Sequence, residues 1–98
     1  MSARKYTLTL THRARLDFQD ILSHTLQMWG DRQLAEYKGL LDGALTLIQN
    51  TPETGQNDLP PYRYVRAGKH YIFYRIDGDT ISVSRILHGS MDFIRHLQ

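Results

Sequence analysis

His88, Arg85, Arg75 and Tyr71 are the side chains with most to offer a reaction. An imidazole that titrates near neutral pH, set among guanidinium groups, is material for phosphodiester cleavage. One group takes a proton from the attacking oxygen, another returns a proton to the leaving oxygen, and cations hold the charge that gathers on the phosphate. A plainer reading competes. A histidine at a strand end commonly bonds to backbone, and Arg85 can pair with Asp92 or Asp77 as a surface contact of little worth. Asp77 and Asp79 flank Gly78 and read as turn residues, not as a metal site. The sequence holds no Gly-x-Ser-x-Gly elbow, no Gly-rich phosphate loop ending in Lys-Ser/Thr and no His-Glu-x-x-His. It has no cysteine, which excludes disulfides and thiolate metal sites, and its five histidines (His12, His24, His70, His88, His96) follow no zinc spacing. No metal and no cofactor are expected.

Periodicity defines the strands and helices that carry these residues. Tyr6–Leu10 (YTLTL) alternates as a short strand, and Thr11 can cap the helix behind it. Ala14, Phe18, Ile21, Thr25 and Met28 recur at helical spacing, with Leu22 and Trp29 widening the stripe. Gly30 ends that helix and Asp31 caps a second, whose stripe is Leu34, Tyr37, Leu41, Ala44, Leu45 and Ile48. Asn50, Pro52 and Gly55 stop it. Two helices joined by so short a link lie antiparallel, as a helical hairpin. Residues 62–67, 70–76 and 80–87 are rich in β-branched and aromatic side chains, with tight turns at Gly68–Lys69 and Asp77–Gly78–Asp79. Residues 56–61 (QNDLPP) are expected to form a loop, because consecutive prolines cannot enter a central strand. Residues 90–98 are expected to form a short helix capped by Ser90. The expected fold class is α+β, ordered β-α-α-β-β-β-α, with the hairpin packed on a small twisted antiparallel sheet.

In the middle strand Ile72, Tyr74 and Ile76 face one way, and Tyr71, Phe73 and Arg75 face the other. One hairpin covers only one side of a small sheet. The second apolar face is left either for the chain's own C-terminal helix or for a partner's apolar segment.

At 98 residues the chain is expected to be a single domain, residues 1–98, able to bury one modest core. No stretch is apolar enough to span a membrane and no signal-peptide core is visible, so a cytoplasmic location is expected. The net charge of +2 is unevenly spread: residues 1–15 carry four Lys/Arg and no acid, residues 16–60 are acidic, and residues 61–98 carry six Lys/Arg against three acids. Either these are ordinary solvated faces, or the basic side meets an acidic partner or nucleic acid.

Several segments together resemble a known family. They are TPETG (Thr51–Gly55), YRYVRAGKHYIFYRI (Tyr62–Ile76) and above all SRILHGSMD (Ser84–Asp92), with Ala14 and Asp17 on the first helix and Trp29–Gly30 at its end. The chain is similar in this order, over nearly its whole length, to the ParE toxins of the RelE/ParE superfamily. The resemblance implies a type II toxin–antitoxin toxin that poisons DNA gyrase and is silenced by a ParD-like antitoxin in a hetero-oligomer, with no sequence-specific nucleic-acid binding of its own. RelE-like relatives are instead ribosome-dependent mRNA endoribonucleases. They resemble one another in cationic sheet faces and a C-terminal tyrosine. Here Tyr71 stands where such relatives carry an arginine, Phe93 where a tyrosine is expected, and Asp92 adds negative charge. Phenylalanine has no hydroxyl to shuttle a proton. No catalysis is therefore expected. An inactive antitoxin-binding or corepressor module is the third reading.

Two sets of contact residues are expected. Leu26, Trp29, Tyr37, Tyr71 and Phe73 would hold the antitoxin, as apolar anchors on the hairpin and the second sheet face. Arg85, His88, Met91 and Asp92, which carry the ParE resemblance and are poor core material, would contact gyrase.

Overall fold

A computed structural model describes residues 5–97. Strand β1 (Thr7–Leu10) leads into α1 (His12–Asn50) and a 3₁₀ turn at Pro52–Thr54. Four strands follow, β2 (Gln56–Leu59), β3 (Tyr62–Ala67), β4 (His70–Asp77) and β5 (Thr80–His88), and then α2 (Phe93–Leu97). The Thr11 side chain accepts from the Ala14 amide at 3.1 Å, so the cap expected there forms. Within α1, Gly30 adopts φ 87° and ψ −178°, a conformation essentially reserved for glycine. This one residue breaks α1 into the two arms of the hairpin.

The arms bury the stripes that their spacing defines. Ala14, Leu41 and Ile48 are fully buried against Ile72, Tyr74, Ile81 and Val83 of the sheet. A leucine or isoleucine so buried contributes about 1.5–3 kcal/mol. Tyr74 lies in this core and satisfies its hydroxyl by donating to the Pro52 carbonyl at 2.6 Å and accepting from the Gly55 amide at 3.0 Å. Burial raises its pKa above the ordinary value.

The sheet order is β1-β5-β4-β3-β2. The neighbours β2/β3, β3/β4 and β4/β5 are antiparallel, whereas β1 runs parallel to β5, with Thr7 opposite Thr80 and Leu10 opposite Val83. The sheet is thus mixed at one edge, since the hairpin carries the chain across before β5 returns beside β1. Two local expectations are corrected. Residues 56–59 form a strand instead of a loop: β2 is the outer edge, pairing among the described residues with β3 alone, and Pro60 and Pro61 follow it without having to donate to a ladder. The last helix begins at Phe93, with the Asp92 carbonyl and side chain, not Ser90, meeting its first amides. The Ser90 hydroxyl bonds instead to His88 Nδ1 at 2.7 Å.

A bulge on β5 anchors the start of the hairpin. Val83 lies opposite Tyr74 and Arg85 opposite Phe73, so Ser84 has no partner on β4. Its carbonyl takes the Thr11 hydroxyl at 3.1 Å, and the Thr11 amide donates to the Val83 carbonyl at 3.0 Å. The first turn of α1 is clamped to this bulge.

Candidate functional site

Just past the bulge, Arg85 makes a two-pronged ion pair with Asp17 of α1: Nε to Oδ2 at 2.7 Å and Nη2 to Oδ1 at 3.1 Å. Asp17 Oδ2 also accepts the Ile86 amide at 3.0 Å, and Arg85 Nη1 donates to the His96 carbonyl at 3.2 Å. Their side chains are 13% and 11% exposed, so this is no solvated surface contact. Arg85 pairs with neither Asp92 nor Asp77. It ties helix, sheet and α2 together, and its charge is spent on Asp17.

Around this tie lies an open cleft of about 490 Å³, lined by Arg13, Tyr62, Ser84, Arg85, Arg95, His96 and Leu97. Arg13 enters from the first turn of α1, Ser84 from the bulge and Arg95 from α2. Tyr62 donates its hydroxyl to the Leu97 carbonyl at 3.1 Å and lies under the Arg75 guanidinium, 6.0 Å from its ring centre.

A second groove, about 720 Å³, runs between the first arm of α1 and the β3–β4 turn. Ile21, Thr25, Trp29 and Tyr37 line it from the hairpin, and His70 and His88 from the sheet, with Asp20, His24 and Lys69 also on its wall. Gly68 holds the turn in the left-handed region at φ 63°, close against the Tyr37 ring. The Tyr37 hydroxyl accepts from the Lys69 amide at 3.1 Å and meets His70 Nδ1 at 2.5 Å. Burial, with His88 and His24 as like-charged neighbours, pushes the His70 pKa down to about 4. At neutral pH His70 is therefore uncharged, and the Tyr37 hydroxyl also donates to the Ala67 carbonyl at 3.3 Å. Trp29 is 67% exposed at the groove mouth, and Leu26, at 43%, stands a turn earlier on the same arm.

The other sheet face is closed by the chain itself. The Phe93 ring lies 4.9 Å from Phe73 and 5.2 Å from Tyr71, and Tyr64 stacks beside Phe73 at 5.1 Å. Phe73 is fully buried. The face that the alternation leaves either for the C-terminal helix or for a partner is an aromatic cluster under α2.

The structure therefore divides the expected contact residues differently from the sequence. Trp29 and Tyr37 share the groove with Leu26 beside it, whereas Tyr71 and Phe73 lie on the opposite sheet face. His88, Met91 and Asp92 gather at the turn after β5, where the Met91 amide donates to the His88 carbonyl at 3.0 Å. His88 and Asp92 are exposed and Met91 is half-buried. Arg85 stands apart from them in the cationic cleft, while His88 borders the groove of Trp29. Sequence reasoning did not single out Arg13, Arg95 and His96. The available signal was the basic charge of both chain ends, which the fold brings to one cleft.

The chain is a helical hairpin laid on a five-stranded sheet, with a short helix on the far face. It aligns with a TM-score of 0.74 to a chain of the chromosomal ParDE toxin–antitoxin system from P. aeruginosa, at 18% identity, covering 87% of this chain and 97% of that one. With a chain of the RelBE2 toxin–antitoxin complex from Mycobacterium tuberculosis the TM-score is 0.60 at 24% identity, covering 86% and 98%. At such identities the likeness shows the fold alone. Sequence goes further: residues 8–93 match the family described as ParE toxin of type II toxin-antitoxin system. The chain is 36% identical to Toxin ParE1 of Caulobacter vibrioides, covering 90% of this chain and 94% of the relative. It is 37% identical to Toxin ParE1 of Mycobacterium tuberculosis, covering 99% and 100%. This chain belongs to the ParE toxin family of type II toxin–antitoxin systems. Among the described residues, no helix is long and apolar enough to cross a membrane.

Proposed function

We propose that this toxin acts on DNA gyrase as a binding poison, without chemistry of its own, and that a ParD-like antitoxin silences it in a cytoplasmic hetero-oligomer. A poison needs only to hold one state of its target more tightly than the others, because a ligand shifts an equilibrium by its differential affinity. The observation that carries the reading is Phe93 seated on Tyr71 and Phe73. A nuclease of this superfamily would need a proton shuttle on that sheet face, and the Phe93 ring seated there has no hydroxyl to supply one. The arginine closest to such a role, Arg85, is already neutralised by Asp17. The turn of His88, Met91 and Asp92 is the surface proposed to meet gyrase.

The groove of Trp29 and Tyr37 supports the antitoxin assignment. It offers an exposed indole, a half-buried phenol and an uncharged histidine to an amphipathic segment. Because His88 borders the same groove, a segment lying there also covers part of the proposed gyrase surface. The antitoxin would thus neutralise by occlusion.

Pulse-labelling after induction without an antitoxin tests the reading. DNA synthesis is expected to stop first while protein synthesis continues. Arrest of translation before replication would favour the endoribonuclease, and normal growth would mark an inert module.

A further inference from the structure

We propose that the cleft between the start of α1, the β5 bulge and α2 binds the phosphodiester backbone of a nucleic-acid strand. Arg13 and Arg95 are its charged contacts, with the Ser84 hydroxyl and the His96 ring as further donors. The inference goes beyond the gyrase reading and stands or falls without it.

Charge comes first. Three guanidinium groups line the cleft, from Arg13, Arg85 and Arg95, and among the described residues no carboxylate lines it. Asp17 cancels Arg85, but among the described residues Arg13 and Arg95 have no ion-pair partner. Both are exposed. Two like charges therefore converge on one concavity with no carboxylate among the described residues to offset them, and an anion there relieves their repulsion. The closing carbonyls of α2 are negative dipoles nearby, but they are already engaged. His96 is held by Arg85 Nη1 at 3.2 Å and Leu97 by the Tyr62 hydroxyl at 3.1 Å.

Construction comes second. The walls are held by the Thr11 cap clamped to the bulge and by the part-buried Asp17–Arg85 pair. The bulge turns Ser84 out of register with β4 and towards the cleft. Guanidinium and hydroxyl groups are among the donors that contact backbone phosphates. Exposed Arg75, over the Tyr62 ring, extends the positive surface beyond the cleft. The cleft is open to solvent, not enclosed, so it can meet the backbone of a longer strand as well as a free anion.

The test is binding of the full chain to a short fluorescein-labelled oligodeoxythymidine, measured by anisotropy over a series of salt concentrations. For single strands the log–log salt slope is about −0.7 per phosphate contacted, so the Arg13→Gln/Arg95→Gln double variant should flatten it by roughly 1.4 and lose about tenfold in affinity at low salt. Arg32→Gln/Arg66→Gln, with the same loss of charge elsewhere, should change neither by more than about twofold. Arg95→Glu alone should weaken binding further than Arg95→Gln. A neutral methylphosphonate strand should not bind, and inorganic phosphate should compete only weakly. The proposal is overturned if the protein does not bind the strand at low salt, or if both double variants lose affinity equally. It is also overturned if inorganic phosphate competes as tightly as the strand, or if an acidic peptide of matched charge binds better. Retained thermal melting in each variant shows that the fold is intact, as expected for two exposed side chains.

Discussion

Phe93 covers Phe73. The ring centres are 4.9 Å apart and the planes nearly edge-to-face, so this contact with a fully buried partner helps pin the five-residue helix α2 to the sheet. Phe93→Ala should cost about 2 kcal/mol, less than the 3–5 kcal/mol of a fully buried phenylalanine because Phe93 is half-buried. It should also unmask Phe73 and Tyr71. Urea unfolding with a hydrophobic dye checks both: the midpoint falls and dye binding to the native state rises.

The Asp17–Arg85 pair makes a second, sharper prediction. Removing one partner of a pair this sheltered leaves a charge, and here the Ile86 amide too, without its partner. Asp17→Ala should cost about 3 kcal/mol, whereas the Asp17→Ala/Arg85→Leu double variant should recover a good part of that. A double-mutant cycle by urea denaturation measures the coupling. Arg85→Ala alone is a poor probe of target contact, since lost activity would follow from lost structure.

Trp29 and Phe73 should part company under mutation. Trp29 is 67% exposed, so Trp29→Ala should leave stability within about 0.5 kcal/mol. If the groove holds the antitoxin, the same change weakens binding at least tenfold, about 1.4 kcal/mol. Phe73 is fully buried, and Phe73→Ala should cost about 3–5 kcal/mol through the cavity it leaves. Calorimetric titration with the antitoxin, beside thermal melts, separates the two effects. Unchanged affinity in a folded Trp29→Ala protein would move the antitoxin off the groove.

His70 sets a pH dependence whose sign is fixed. Its folded pKa of about 4 lies below the ordinary histidine value of 6.5, so between these pH values the unfolded chain binds more protons than the folded one. Stability from this residue is present above pH 6.5 and is lost as pH falls toward 4. His70→Gln, which keeps a polar partner for Tyr37, should show a shallower fall in urea midpoint across that window. An identical fall in both proteins would assign the dependence to other groups.

Local patterning made most of the fold legible. The alternation of Ile72, Tyr74 and Ile76 placed the core face of β4, and Gly30 read correctly as the break between helical arms, because each depends on a residue and its near neighbours. The misses are non-local. Asp17 and Arg85 are 68 residues apart, and nothing in spacing pairs them. The prolines at 60 and 61 made β2 look like loop, because a sequence does not say that a strand will lie at an edge. The second face of β4 was rightly read as apolar, yet whether α2 or a partner covers it depended on where Phe93 lands. The cationic cleft escaped for the same reason: Arg13 and Arg95 meet only after the fold closes.

The central claim, that this chain poisons gyrase by binding, is tested most directly with purified gyrase. Supercoiling and cleaved DNA are measured with wild-type toxin and with His88→Ala and Met91→Ala. The account predicts that wild type at micromolar excess inhibits supercoiling and accumulates cleaved DNA, and that both variants, still folded, do so at least several-fold less well. Untouched supercoiling with no cleaved DNA would contradict it.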